Sequence, residues 1–191
     1  MKTLRATLML SGFTAIMIMT GCKKDDETPT PPAPGPAPTP SLYVRLGGDA
    51  MVADPANPGM QVKQGYLAIR SVVDRSIFVI AADPELQPYF AVLLGEVGGG
   101  QLTNLAVLSK NLTDFFAVGA GATSIQYNGL NMADAHNPAV NPRMTGLVTD
   151  EAHDRFIADV VIGAQQNNVP MSIIQEFGAL MESLRGPIVQ G

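Results

Sequence analysis

The sequence predicts an all-α domain on three observations. Apolar residues recur at steps of three and four in four separate segments. Each of those segments carries a helix start or stop signal. No alternating strand pattern of useful length appears. The intervening stretches are long and rich in Gly, Pro and Asn, notably Gly47 to Gly59, Gly95 to Gly100 and Asn137 to Pro142, so extended loops join the helices.

The first element is not part of that domain. Lys2 and Arg5 supply a positive start, and Ala6 to Met19 an uncharged apolar run. The run is short for a membrane span and a polar segment follows at once, which is the pattern of a secretory signal. It closes on Met19-Thr20-Gly21-Cys22, with a small residue before the chain's single cysteine. This predicts a lipoprotein signal peptide over 1–21 and a lipidated Cys22; an ordinary secretory signal with a chance cysteine is the alternative. Acyl chains at Cys22 would hold the protein on a membrane as a lipid anchor. The anchored domain would face the periplasm or the cell surface; Lys23 stands next to the cysteine, where an aspartate is absent, and in a Gram-negative cell this favours the outer membrane.

Residues 22–40 follow as a stalk. Thr28 to Pro40 reads TPTPPAPGPAPTP. Proline lacks the amide donor and clashes in a helix, so the run is extended and semi-rigid. A proline-motif ligand is the alternative reading of the same residues. The folded domain then spans 41–191.

Four helices follow in that domain. Leu67, Ile69, Val72, Val73, Ile77 and Ile80 form the first apolar stripe, stopped by Asp83-Pro84. Leu102, Leu105, Leu108, Leu112, Phe115 and Phe116 form the second, which ends at Gly119 and Gly121. Thr149, followed by Asp150 and Glu151, starts the third, because its hydroxyl can cap and the acids favour the positive end of the helix dipole. Phe156, Ile157, Val160, Val161 and Ala164 carry its buried face, and Asn167-Asn168 breaks it. Val169-Pro170 opens the last helix, packed by Ile173, Ile174, Phe177, Leu180, Met181 and Leu184 and ended by Gly186-Pro187.

Loss of Lys2 and Arg5 with the signal leaves ten basic residues against 17 acidic ones, a net charge of −7. That balance argues against nucleic acid or anionic lipid headgroups as partners, since both need clustered Lys and Arg. One cysteine allows no internal disulfide even in an oxidising compartment, so the domain rests on its core.

Five blocks of residues resemble the group 1 truncated haemoglobins. Ser41-Leu42-Tyr43-x-Arg45-Leu46-Gly47-Gly48 is similar to the opening of that family. Ala68-Ile69-Arg70-Ser71-Val72-Val73-Asp74 is similar to its next helix. Asp83-Pro84-x-Leu86-x-Pro88-Tyr89-Phe90 is similar to the corner that follows. Phe115-Phe116 with Tyr127-Asn128-Gly129-x-x-Met132-x-x-x-His136 is similar to the stretch that ends in the haem-ligating histidine. Thr149 to Val189 is similar to the last two helices. The resemblance implies a two-over-two helical sandwich, the shortened globin, with haem b between its helices and a diatomic gas (O2, CO or NO) as ligand.

Carried over residue by residue, the resemblance puts the iron ligand at His136. Neutral imidazole is a good ligand for haem iron. Apart from the resemblance, His136 reads as an ordinary solvent-facing residue before a turn. Phe90, Phe116, Met132 and Val148 match haem-contact positions of the family, and Lys110 lies near the place of a propionate partner. The other histidine, His153, reads as a helix-surface or cap residue.

Two departures from the family matter for function. Its distal tyrosine and glutamine fall at Ile77 and Leu112, with Leu108 one turn before, so the distal side is apolar. Dioxygen gains from a polar donor, whereas CO does not need one. There are also insertions: between Gly48 and Leu67, after Phe90, and from Asn137 to Arg143 directly behind His136. The expectation is a membrane-anchored gas-binding haem protein, more a binder than an enzyme, with no catalytic residue in view. A haemless globin-fold lipoprotein and an NO-detoxifying haem enzyme are the alternatives from other classes.

Overall fold

The computed structural model describes residues 39–191. The signal expected over 1–21, Cys22 and nearly all of the stalk lie outside the described residues. The domain opens on a single helical turn, α1 (Leu42–Arg45), capped by the Ser41 hydroxyl, which accepts from the Val44 amide. The Tyr43 amide donates to the Ala120 carbonyl over 2.8 Å and its ring is buried, so this turn is pinned to the far end of a later helix. Gly47 has φ +111°, a conformation that L side chains rarely adopt. Gly65 is equally constrained: an added Cβ would stand 2.9 Å from the Tyr43 ring and 3.0 Å from the Gly48 amide.

The first insertion folds into a small hairpin that the strand pattern did not predict. β1 (Met51–Ala53) pairs antiparallel with β2 (Gln61–Lys63), Val52 facing Val62. Strands of three residues are too short to show a period in sequence. Asp54 closes the hairpin. Its carboxylate accepts from the Ala56 amide at 3.0 Å, the Asn57 amide group at 2.8 Å and Arg70 at 2.6 Å. The Arg70 guanidinium holds the Asp54 carboxyl far below the usual carboxylate range.

Helix α2 (Gln64–Ala82) follows without a break and ends where Asp83-Pro84 was expected to stop it. A turn of 3-10 helix (Gln87–Phe90) leads into α3 (Ala91–Gly98), a helix in the second insertion. Then come α4 (Thr103–Gly119), the short α5 (Met132–Ala135), α6 (Asp150–Gln166) and α7 (Met171–Glu182). Thr149 caps α6 as its sequence predicts, accepting from the Ala152 amide at 3.2 Å. Gly186-Pro187 does not end α7, which stops at Glu182. It lies inside a separate turn, α8 (Arg185–Ile188), because proline is tolerated in the first turn of a helix.

Two helix pairs stack on each other. α2 packs on α4, α6 packs on α7, and α2 crosses α6 in the largest contact between elements. The crossing is tight at Gly163, where an added Cβ would lie 2.8 Å from the Ser76 Cα and 2.9 Å from its amide nitrogen. α4 meets α7 through Phe116 on Phe177, edge to face at 5.9 Å, and through Gly119 under Leu180. The core runs through these four helices: Ile69, Val73 and Ile80 from α2, Phe116 and Ala117 from α4, Val160 from α6, Ile173 and Met181 from α7. Among the described residues no single helix is long and apolar enough to cross a membrane.

Candidate functional site

α5 is one turn long, and its last residue sets up the site. Asn131 caps it, accepting from the Asp134 amide at 2.9 Å. His136 follows at the C-terminal end, with its Nδ1 2.8 Å from the Met132 carbonyl. A carbonyl only accepts, so in the neutral ring Nδ1 carries the proton and the Nε2 lone pair is free. Burial lowers the imidazole pKa from 6.5, which keeps the ring neutral and able to act as a ligand.

His136 faces a cavity of about 380 Å³ between α4, α5, α6 and the 3-10 turn. That volume is ordinary for a cofactor site. Phe90, Leu108, Leu112, Phe116, Met132 and Val148 line the same cavity with it. The α4 contribution comes in pairs one turn apart, Val107 with Leu108, Asn111 with Leu112 and Phe115 with Phe116, as a helix laid along a cleft requires.

Ile77 is placed elsewhere. It lines a second, smaller apolar cavity of about 70 Å³, between α2, α6 and α7. Leu112, Phe116, Phe156 and Met181 border both cavities and form the wall between them. Ser76 is also on that side, buried against Gly163 with its hydroxyl oxygen unpartnered.

Lys110 is off the lining stripe. Its ammonium pairs with the buried Asp114, which also accepts from the Tyr66 hydroxyl at 2.9 Å. His153 is the larger correction. It is 3 % exposed, not on the surface, and it lines the cavity with an unpartnered Nδ1. Burial, then the nearby Arg185, lowers its pKa. The helical period contained the signal, because 153, 157, 160 and 164 lie on one face of α6. His153 also lies beside Asp154 and Glu182, a set with the donor types of a metal site, but both acids pair with Arg185.

The insertion behind His136 is ordered by two asparagines. The Asn137 side chain accepts from the Ala139 amide at 2.9 Å. Asn141 donates to the Ala135 carbonyl at 2.7 Å and accepts from the Arg143 amide at 3.2 Å. These bonds tie the loop back onto α5, and the His136–Met132 contact is kept beside it.

Helix pairs stacked two over two, with a cleft between them facing a histidine, define the truncated-globin fold. Among solved structures the chain is similar to a truncated haemoglobin from Tetrahymena pyriformis, a tyrosine-to-phenylalanine variant in its Fe(III) form. The identity is 18 %, over 80 % of this chain and 100 % of that one, with a TM-score of 0.55. No protein-family profile matches the chain, and no curated protein does.

The cavity fits a haem on its own terms. It is walled by apolar and aromatic side chains, it has a cofactor-sized volume, and it presents a neutral imidazole whose proton is already committed to a carbonyl. A ligating histidine oriented through its other nitrogen is the usual arrangement of a metal-bound imidazole.

Proposed function

We propose that this protein is a haem-binding globin of the group 1 truncated-haemoglobin type that binds diatomic gases and is held on a membrane through Cys22. His136 would hold the iron of haem b, with Phe90, Phe116, Met132 and Val148 against the macrocycle and Leu108 and Leu112 over the gas-binding side. Haem iron held by one histidine would supply an open coordination position for O2, CO or NO. The observation that carries this reading is the His136 imidazole, which faces the cavity with Nδ1 donating to Met132 and Nε2 unspent.

The chain's residues tune that position by what they exclude. Leu108 and Leu112 keep water out and offer no hydrogen bond, which disfavours O2 relative to CO.

The test is an absorption spectrum. The full chain, purified with haem supplied, is expected to show an intense band at the blue edge of the visible, and that band should shift when CO is added to the reduced protein. A colourless protein that takes up no added haem overturns the reading.

A further inference from the structure

Two of the three insertions touch. Glu96 on α3, in the insertion after Phe90, pairs with Arg143, at the end of the insertion after His136. The pairing is bidentate, with Arg143 Nη1 to Oε1 at 2.9 Å and Nη2 to Oε2 at 2.6 Å. Glu96 also accepts from Asn104 at 3.0 Å. Arg143 lines the cavity and Glu96 does not. The Arg143 side chain is 41 % exposed, so it stands at the mouth. Among the described residues it is the one Lys or Arg in the cavity wall.

We propose that Arg143 is the receptor for a ligand carboxylate at the cavity mouth, and that in the haem-loaded protein it binds a propionate. The inference rests on the haem reading above. A haem is apolar in its plane and carries two carboxylates at one edge, which must stay near water or meet a cation. The apolar wall accepts the plane, and Arg143 is the cation that the same cavity offers. Its fork matches a carboxylate with two parallel bonds, a geometry that Lys cannot reproduce. Glu96 occupies that fork and competes for it, and Asn104 remains as a partner for Glu96 when a propionate takes Arg143. Lys110, the candidate that sequence suggested, is committed to Asp114 on another face of α4.

The experiment follows transfer of porphyrin from the full chain to excess apomyoglobin. It compares haem with haem dimethyl ester, in which both carboxylates are blocked. The proteins are unaltered, Arg143→Met and Glu96→Gln. Arg143→Met is expected to speed haem loss about tenfold, as loss of a charge-assisted pair implies, and to leave loss of the ester unchanged. Glu96→Gln removes the competing acid and is expected to slow haem loss. Equal acceleration of both porphyrins by Arg143→Met would mean that the residue only joins the two insertions, and the proposal falls. Acceleration by Glu96→Gln to the same extent as by Arg143→Met overturns it in the same way. If the unaltered protein retains neither porphyrin, the haem reading itself fails and takes this proposal with it.

Discussion

A carbonyl oxygen four residues upstream decides what His136 can do. By accepting a hydrogen bond from Nδ1–H, the Met132 carbonyl fixes the tautomer and leaves one free lone pair at Nε2. His153 shares the cavity wall, but its Nδ1 has no partner. His136→Ala is therefore expected to abolish haem retention, while His153→Leu keeps it; a His136 variant with the unaltered haem spectrum would move the ligand to His153. Leu112 borders the cavity on α4, at the place of the family's distal glutamine. Leu112→Gln is expected to slow oxygen dissociation by on the order of tenfold, because a hydrogen bond to a charged partner contributes about 1.5–3 kcal/mol. Stopped-flow rates in the two proteins check this. A slow rate in the unaltered protein would point to Asn111, the polar neighbour on the same lining stripe.

Between elements, the α2–α6 crossing holds the most consequence. Gly163 lets the Ser76 backbone approach, and although the Ser76 hydroxyl could turn away, its Cα and amide nitrogen would still lie 2.8 and 2.9 Å from an added Cβ. Gly163→Ala is expected to push the helices apart at a cost of about 1–3 kcal/mol, read as a lower midpoint in urea. A second site on α6 answers to pH. Asp159 is 1 % exposed, and its Oδ2 has no partner. Burial, then the neighbouring Asp83, raises its pKa above 3.8, while Arg155 holds Asp83 below that value. A carboxyl raised in the folded state binds its proton more tightly there than in the unfolded chain. Its stabilising contribution is complete below pH 3.8 and is lost as pH rises through the folded value. Asp159→Asn is expected to raise the melting temperature at pH 7 and to bring no gain near pH 3.8. A constant difference across that range would show that the carboxyl is not titrating differently in the two states.

At the scale of the whole molecule, the cavity-bearing domain follows a proline-rich stretch of sequence. We propose that Cys22 anchors the chain on a membrane. A net charge of −7 on the processed chain would keep the domain off anionic headgroups. Cys22→Ser is expected to give an unprocessed precursor that takes no palmitate label and is released from membranes. Labelling that persists in the variant refutes the anchor.

The helices were legible because burying one face leaves a period of 3.6 in the chain, and the caps lie within a few residues of it. Thr149, Asp83-Pro84 and Asn167 are of this kind. Sequence by itself therefore determined the four long helices and their order, while His136 was singled out by the family resemblance. The hairpin at Met51–Lys63 stayed hidden because its strands are too short to show a period, and helix α3 because its glycines, Gly95 and Gly98, read as loop. Only the tertiary structure decided that His153 points into the cavity, that Ile77 lies behind the Leu112–Phe116 wall, and that Arg143 rather than Lys110 stands at the mouth. Each depends on which residues distant in the chain are brought together. Glu96 and Arg143 are 47 positions apart, and no local period links them. Helix packing determines which of them meet, and packing is a property of the whole core.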